Sequence, residues 1–340
     1  MTRRSLGIAL GLASGVALLG TAVLAQCPGA GISRECRREV ISLCGLSGGR
    51  TGIRACLTGK VQSLSKRCRT ELLAVASQRA ASKAVLPTNA RELSFGANAL
   101  QKLDLWPSAK AGKAPVVVFI HGGGWSIGDK RTGVGEKDRH FTADGYAFAS
   151  INYRLVPKAT PAEQAQDVAA ALALLRKQPG IDPDRIILVG HSAGAHLAAL
   201  VGSDPRYFAA AGEPMTSVRG VILLDGAGYD VAEQMQSPAN IVSGMYKAAF
   251  TTDPKRQADL SPTLHAAAPN AANWLIINDA DRPDSQSQSD MPAAALTKAG
   301  SRANRMPVAN TSHAALNRNV GVAGDAETAR IDAFIAEVVR

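Results

Sequence analysis

Five residues, Gly190-His191-Ser192-Ala193-Gly194, constrain the fold of this chain more than any other stretch. They follow an apolar run at 185–189 and precede a small-residue helical pattern from Leu197 onward. The segment reads as strand, sharp turn and helix, with Ser192 at the middle of G-x-S-x-G. Small residues are required two before and two after the serine. The turn holds a nucleophile in a strained backbone conformation, and a side chain at Gly190 or Gly194 would strike the adjoining strand and helix. Such a turn raises the hydroxyl above a sheet, and the Ala193 N–H at the helix start faces a developing oxyanion. In a chain with 32 glycines the pentapeptide alone is a weak signal; the strand before it and the helix after it give it weight.

A second motif stands on the same logic. Residues 115–120, Pro-Val-Val-Val-Phe-Ile, read as a buried parallel strand. His121-Gly122-Gly123-Gly124-Trp125 follows directly. Three glycines let the backbone approach a substrate oxygen, so Gly123 and Gly124 add two N–H donors to that of Ala193. Around these motifs, strands are expected at 100–106, 146–151, 218–224 and 274–277. Helices are expected at 136–144, 161–177 and 325–339. Strand–helix alternation with apolar strands predicts an α/β fold with a doubly wound, mostly parallel sheet. Residues 225–270 are too long for a simple connection and are expected to form a cap over the site.

With Gly128-Asp129-Lys130, Ile151-Asn152-Tyr153-Arg154-Leu155 and the run from Asp167 to Leu172, these motifs resemble the α/β-hydrolase family. Within it they resemble the HGGG-type lipase and esterase branch around hormone-sensitive lipase, over residues 95–340. The resemblance implies nucleophile, acid and histidine in that chain order. Of the six histidines (121, 140, 191, 196, 265 and 313) only His313 follows the strand at 274–277, so order selects it as the base. The stretch 311–318 also resembles the family's segment there, and His121 is read as holding the glycine loop. Asn278-Asp279-Ala280-Asp281-Arg282-Pro283-Asp284 offers three carboxylates for the acid. By resemblance to the family's H-x-A-D-R type segment, Asp281 takes the catalytic position and Asn278 stands where the family has histidine. Asp279 and Asp284 remain alternatives.

The activity so implied is two-step acyl transfer by Ser192, His313 and Asp281, with no metal or organic cofactor, on a small or medium acyl or aryl ester. The narrower likeness is to kynurenine formamidase-like hydrolases, which cleave an N-formyl aryl amide, and to feruloyl or acetyl-xylan esterases. A different class of reading is a hydrolase fold kept as an inactive binding module. Inactive members usually lose the serine or histidine, and this chain keeps both.

The front of the chain has another character. The net charge is +10, and residues 1–85 hold thirteen basic side chains against three acidic ones. That segment carries the whole excess, and 86–340 is neutral. Met1-Thr2-Arg3-Arg4, an uncharged apolar stretch at 6–24 and small residues at Val23-Leu24-Ala25 read as a signal peptide over 1–25. A secreted or periplasmic location follows; a retained anchor is the competing reading. All five cysteines (27, 36, 44, 56, 68) lie in the segment 26–85, which is read as a disulfide-bonded helical module and linker ahead of a hydrolase domain at 86–340. Cys36, Val40, Ile41 and Cys44 share helical spacing, 46–51 is a turn, and 53–73 is helical again. In an antiparallel helix pair partners are centred on nearly one point, and the pairs 44/56 and 36/68 are centred on 50 and 52. Nested bridges Cys44–Cys56 and Cys36–Cys68 therefore fit an antiparallel helix pair and leave Cys27 odd. A zinc site needs other spacings, and no histidine lies in the segment. The Ala/Ser-rich stretch 74–89 is read as the linker. Aromatic residues are not interleaved among the positive charges, which argues against nucleic acid; an anionic surface or polysaccharide is the expected contact.

Overall fold

Runs of Val, Ile and Leu that are apolar on both faces can be buried only if helices cover both sides of the sheet they form. The computed structural model describes residues 33–45, 56–57, 60–72, 89–236 and 243–340. The leader at 1–25, Cys27 and the stretch 74–88 lie outside the described residues. The chain divides into two compact units, Met1–Ala81 and Ser82–Arg340, each taken here by itself.

The larger unit holds eight strands: β1 (Arg91–Ser94), β2 (Lys102–Trp106), β3 (Ala114–Ile120), β4 (Ala147–Ile151), β5 (Ile181–His191), β6 (Val218–Leu224), β7 (Asn273–Asp279) and β8 (Arg302–Val308). They lie in the order β1-β2-β4-β3-β5-β6-β7-β8. β2 runs antiparallel to both β1 and β4, and the remaining neighbours are parallel. All seven residues of β3 are buried. Val116, Val118 and Ile120 share one core cluster with Leu172, Leu175, Leu197 and Leu200 of the helices Pro161–Arg176 and Ala193–Ser203. Val117 and Phe119 share the other with Phe141 of Lys137–Asp144 and with Ile331 and Ile335 of Ala326–Val338. Each such buried Val, Leu or Ile contributes about 1.5–3 kcal/mol relative to exposure. The sheet is thus doubly wound, as expected. The helix Pro161–Arg176 starts at a capping box, Thr160 with Glu163, and carries proline at its first position.

Register decides where the site lies. Ile120 is opposite Gly190, His191 opposite Leu224, and Leu224 opposite Ile277. The carboxyl ends of β3, β5, β6 and β7 therefore finish level, and the loops after them emerge side by side on one edge. The sequence does not announce β1, β8, the helices Pro205–Ala211 and Ala315–Arg318, or the helix Pro283–Lys298, which carries Pro292 in its interior. Between β6 and β7 come the helices Val231–Gln236, Ser243–Phe250 and Pro254–Asp259 and a 3-10 turn at Pro262–His265.

In the smaller unit, the helix Arg34–Cys44 starts at Ser33, whose side chain accepts from Cys36 N–H. Disulfides join Cys36 to Cys68 and Cys44 to Cys56, with Cα atoms 4.8 and 5.7 Å apart. Cys36, Val40, Leu64 and Cys68 are its fully buried apolar residues among those described. So small a core stabilises little, which is why covalent staples matter here. The second helix differs from expectation, because a 3-10 turn at Val61–Ser63 interrupts it. The Arg69 guanidinium donates to the carbonyls of Gln62 (2.9 Å) and Leu64 (2.7 Å) and holds the break. No helix of the described residues is long and apolar enough to cross a membrane.

Candidate active site

Ser192 sits between β5 and the helix Ala193–Ser203 at φ 57° and ψ −123°, a strained conformation for a residue with a side chain. The flanking glycines are sterically obligatory. A Cβ on Gly190 would lie 2.3 Å from the Gly194 carbonyl oxygen, and one on Gly194 would lie 2.1 Å from that of Ile120. The elbow is thus pressed onto the end of β3, which brings the glycine loop beside it. Ser192 N–H donates to Leu224 O (3.0 Å), so the elbow is also tied to β6. Ala193, the first helical residue, has an N–H without an intrahelical acceptor.

The glycine loop is braced from below. Gly123 and Gly124 take φ of 123° and 58°. His121 lies flat on Tyr153, ring centroids 4.3 Å apart, and Tyr153 Oη donates to His121 O (2.8 Å). Burial pushes the His121 pKa down to about 4, so the ring is neutral, consistent with the role of loop support read for it. Trp125 is buried, donates from Nε1 to His196 Nδ1 (3.2 Å) and packs against Phe250 and Tyr246 of the β6–β7 insertion. The other motif residues are scaffolding. Asn152 Oδ1 accepts from Lys130 N–H (2.5 Å), and Asp167 takes a bidentate pair of bonds from the Arg154 guanidinium (2.9 and 2.8 Å).

His313 follows β8, and its Nδ1 lies 2.6 Å from Asp225 Oδ2. This corrects the sequence reading, in which Asp281 was the partner. The Asp281 carboxylate accepts instead from Asn310 N–H (2.9 Å). Asp279 accepts from Asp281 N–H (2.9 Å), and Asp284 pairs with Arg282 (2.7 Å), so neither alternative meets His313. The reason is register. β7 runs on to Asp279, paired with Val308 of β8, and Asp281 therefore emerges on the β8 side of the loop. Asp225 directly follows Leu224, opposite His191, and leaves the sheet one strand nearer the serine. The sequence signal is an aspartate closing a buried apolar strand, at the same point where the 225–270 insertion begins.

Asp225 is itself at positive φ (45°) and 1% exposed. Its N–H donates to Ile277 O (2.8 Å), and Oδ1 accepts from Asp279 N–H (3.1 Å) and from the Ser285 hydroxyl. Arg282 reaches Oδ2 at 2.8 Å, the same oxygen that meets His313. Burial pushes the carboxyl pKa up, but His313, Ser285 and Arg282 together outweigh it and hold the group well below the usual carboxylate range. It is an anion. His191, which the sequence reading left without a role, faces His313 with ring centroids 4.6 Å apart, and its Nε2 lies 2.8 Å from His313 O. Burial, with His313 beside it, lowers its pKa, so the neutral ring donates that bond and fixes the backbone of the base.

One group of metal-type side chains gathers among the described residues, His140, Asp144 and Asp332. His140 Nε2 lies 2.8 Å from Asp332 of the helix Ala326–Val338 and 3.8 Å from Asp144 of its own helix, and the group contains neither Ser192 nor His313.

The chain is similar to the probable carboxylic ester hydrolase LipM of Mycobacterium tuberculosis, 30% identical over 190 residues, covering 52% of this chain and 44% of that protein. It is 38% identical over 113 residues to the probable isoprenylcysteine alpha-carbonyl methylesterase ICMEL1 of Oryza sativa subsp. japonica, covering 32% of this chain and 26% of that one. The chain spans less than half the length of these two relatives. Among solved structures, Thermogutta terrifontis esterase 2 shares the fold at a TM-score of 0.59 and 21% identity, over 74% of this chain and 93% of that one. The BD-FAE family model matches residues 103–291, more than half of the chain, and the chain belongs to that family of α/β-hydrolases.

Proposed function

We propose that this protein is a serine carboxylic ester hydrolase, with Ser192 as nucleophile, His313 as general base and Asp225 as the acid that orients it. The observation that carries this reading is the 2.6 Å pair of His313 Nδ1 and Asp225 Oδ2, beside a serine on a strained elbow. Because Asp225 occupies Nδ1, the proton of His313 is held there, and Nε2 is the nitrogen left to take the proton of Ser192. Ser192 Oγ then attacks the ester carbonyl, and the N–H groups of Gly123, Gly124 and Ala193 stabilise the oxyanion. The imidazolium, countered by the Asp225 anion, protonates the leaving alcohol. Water repeats the sequence and frees the acid. The relatives named above are both named for ester bonds, which favours an ester over a formamide. A fluorophosphonate probe tests the reading: wild-type protein is labelled at Ser192, and an unlabelled serine in folded protein would sink it. A panel of aryl esters of graded acyl length, beside N-formylkynurenine, separates ester from formamide preference.

The front unit supports a further part of this reading, that the enzyme works outside the cytoplasm. Two disulfides are stable in an oxidising compartment, and the leader-like residues 1–25 suit export. Arg38, Lys60, Lys66 and Arg67 are exposed on that unit and suit an anionic polysaccharide or membrane surface. Retention on an anionic resin that survives high salt would count against such a contact.

A further inference from the structure

Lys137 is fully buried, which lysine rarely is without a carboxylate partner. Its three hydrogen bonds go to backbone carbonyls: Gly133 O at 3.0 Å, Val134 O at 3.3 Å and Asn317 O at 2.5 Å. The ammonium also lies 5.0 Å from the centre of the Phe119 ring, in β3. Burial pushes its pKa down to about 7, against an upward pull from Asp138. A charge is held there at a cost, and three oxygens aimed at one nitrogen offset it.

Those oxygens belong to two distant parts of the chain. Gly133 and Val134 follow the glycine loop. Asn317 lies in the short helix Ala315–Arg318, which begins two residues after His313. The last carbonyls of a helix have no partner within it and carry its negative pole, so a cation is the fitting donor. The side chain of Asn317 repeats the link, donating from Nδ2 to Gly133 O (3.1 Å). Within the helix, Leu316 is buried in the same core as Phe119, and Ser312 O accepts from the N–H groups of Ala315 and Leu316 at 2.8 and 3.1 Å. His313 therefore has little freedom on its helical side once Asn317 is held.

We propose that Lys137 is a positioning residue for the reaction: its buried ammonium latches the helix behind His313 to the 133–134 loop and so keeps the imidazole aligned between Asp225 and Ser192. The inference rests on the triad assigned above. Lys137 touches no reacting atom, and removing it relaxes the base by a fraction of an ångström without opening the oxyanion hole.

The test is a double-mutant cycle on hydrolysis of 4-nitrophenyl acetate, read well below the melting temperature of each variant. Lys137→Met keeps the length of the side chain and removes charge and donors. It should lower kcat roughly 10- to 100-fold with KM within about twofold, the size of effect expected from misplacing a catalytic group. In an Asp225→Asn background the same substitution should cost less than about threefold, because the alignment it protects is already lost. Unchanged kcat in folded Lys137→Met overturns the proposal, and so does an equal loss in both backgrounds, which is the behaviour of a merely structural residue. Asp225→Asn that leaves wild-type kcat intact sinks the acid assignment instead, and the latch is then judged by the kcat-only loss of Lys137→Met. Should Lys137→Met fail to fold, Lys137→Gln, neutral and one atom shorter, weakens the same tie to the Asn317 carbonyl. It must lower kcat with KM unchanged, and a folded Lys137→Gln of normal kcat overturns the proposal.

Discussion

The two halves of the site are built by different means. The nucleophile half, at the ends of β3 and β5, is made of backbone. Its requirements are positive φ at Gly123, Gly124 and Ser192 and close approach at Gly190 and Gly194. The acid–base half, at the ends of β6, β7 and β8, is made of polar side chains that converge from separate loops: Asp225, Arg282 and His313. A backbone requirement leaves a mark in the sequence, because few residue types satisfy it. A charge requirement leaves several candidates, because any aspartate in reach could serve. The first half can be broken by adding one carbon, the second only by changing a charge or moving a loop.

The largest effect expected is on the nucleophile itself. Ser192→Ala should lower kcat by about three to six orders of magnitude with the melting temperature nearly unchanged, since one hydroxyl contributes little packing. Next comes the acid, where the comparison is sharpest. Asp225→Asn should cost roughly 10⁴ in kcat by holding His313 in the wrong tautomer, and Asp281→Asn no more than several-fold. The reverse ranking would return the acid to the loop after β7.

A smaller loss should follow Gly194→Ala. Its new methyl meets the Ile120 carbonyl, so β3 or the elbow must shift, at about 1–3 kcal/mol of stability. Urea unfolding of that variant measures it, and a midpoint equal to wild type would show that the elbow is not pressed on β3.

Acid should load both halves. His121 and His196 are buried and neutral, with burial pushing each pKa down to about 4 from an ordinary value near 6.5. Between those values the unfolded chain binds more protons than the folded one. These two rings add no slope above pH 6.5 and lower stability as pH drops from 6.5 towards 4, by about 1.4 kcal/mol per pH unit for each group. Both residues support the glycine loop, and His191, buried against His313 with its pKa lowered to about 3, adds a slope of the same sign on the other half. Urea midpoints from pH 8 to 4 would reveal the combined loss. A flat profile would contradict the neutral burial of the two rings.

Much of the fold was legible because the central strands are continuous apolar runs. β3, the apolar end of β5, β6 and the core of β7 stand out, and so do Ser192 and the glycine loop. β8 did not: Arg302, Asn304, Arg305 and Pro307 give it a half-exposed pattern that resembles a loop, and only its pairing with β7 makes it a strand. The helix Pro283–Lys298 was hidden by Pro292 and by its serines and glutamines. Chain order selected His313, the same residue that meets Asp225. It could not choose between Asp225 and Asp281, because both lie between Ser192 and His313. Register brings Asp225 rather than Asp281 to His313, and register is a property of paired strands that one sequence does not display. The disulfide pairing was legible for the opposite reason, since spacing about a single turn fixes it without distant partners.

Asp225 stands at the last point of the sheet before the chain departs into its largest excursion. Its main chain is fastened to β7 through Ile277, and its side chain receives Asp279 N–H, so Asp225 belongs to the sheet although the residues that follow it do not. A graft of that excursion from a relative could thus be joined immediately after residue 225 and rejoined at Asn273 without disturbing the charge relation to His313. The insertion can drift, lengthen or be exchanged, while Asp225 stays where two strands hold it.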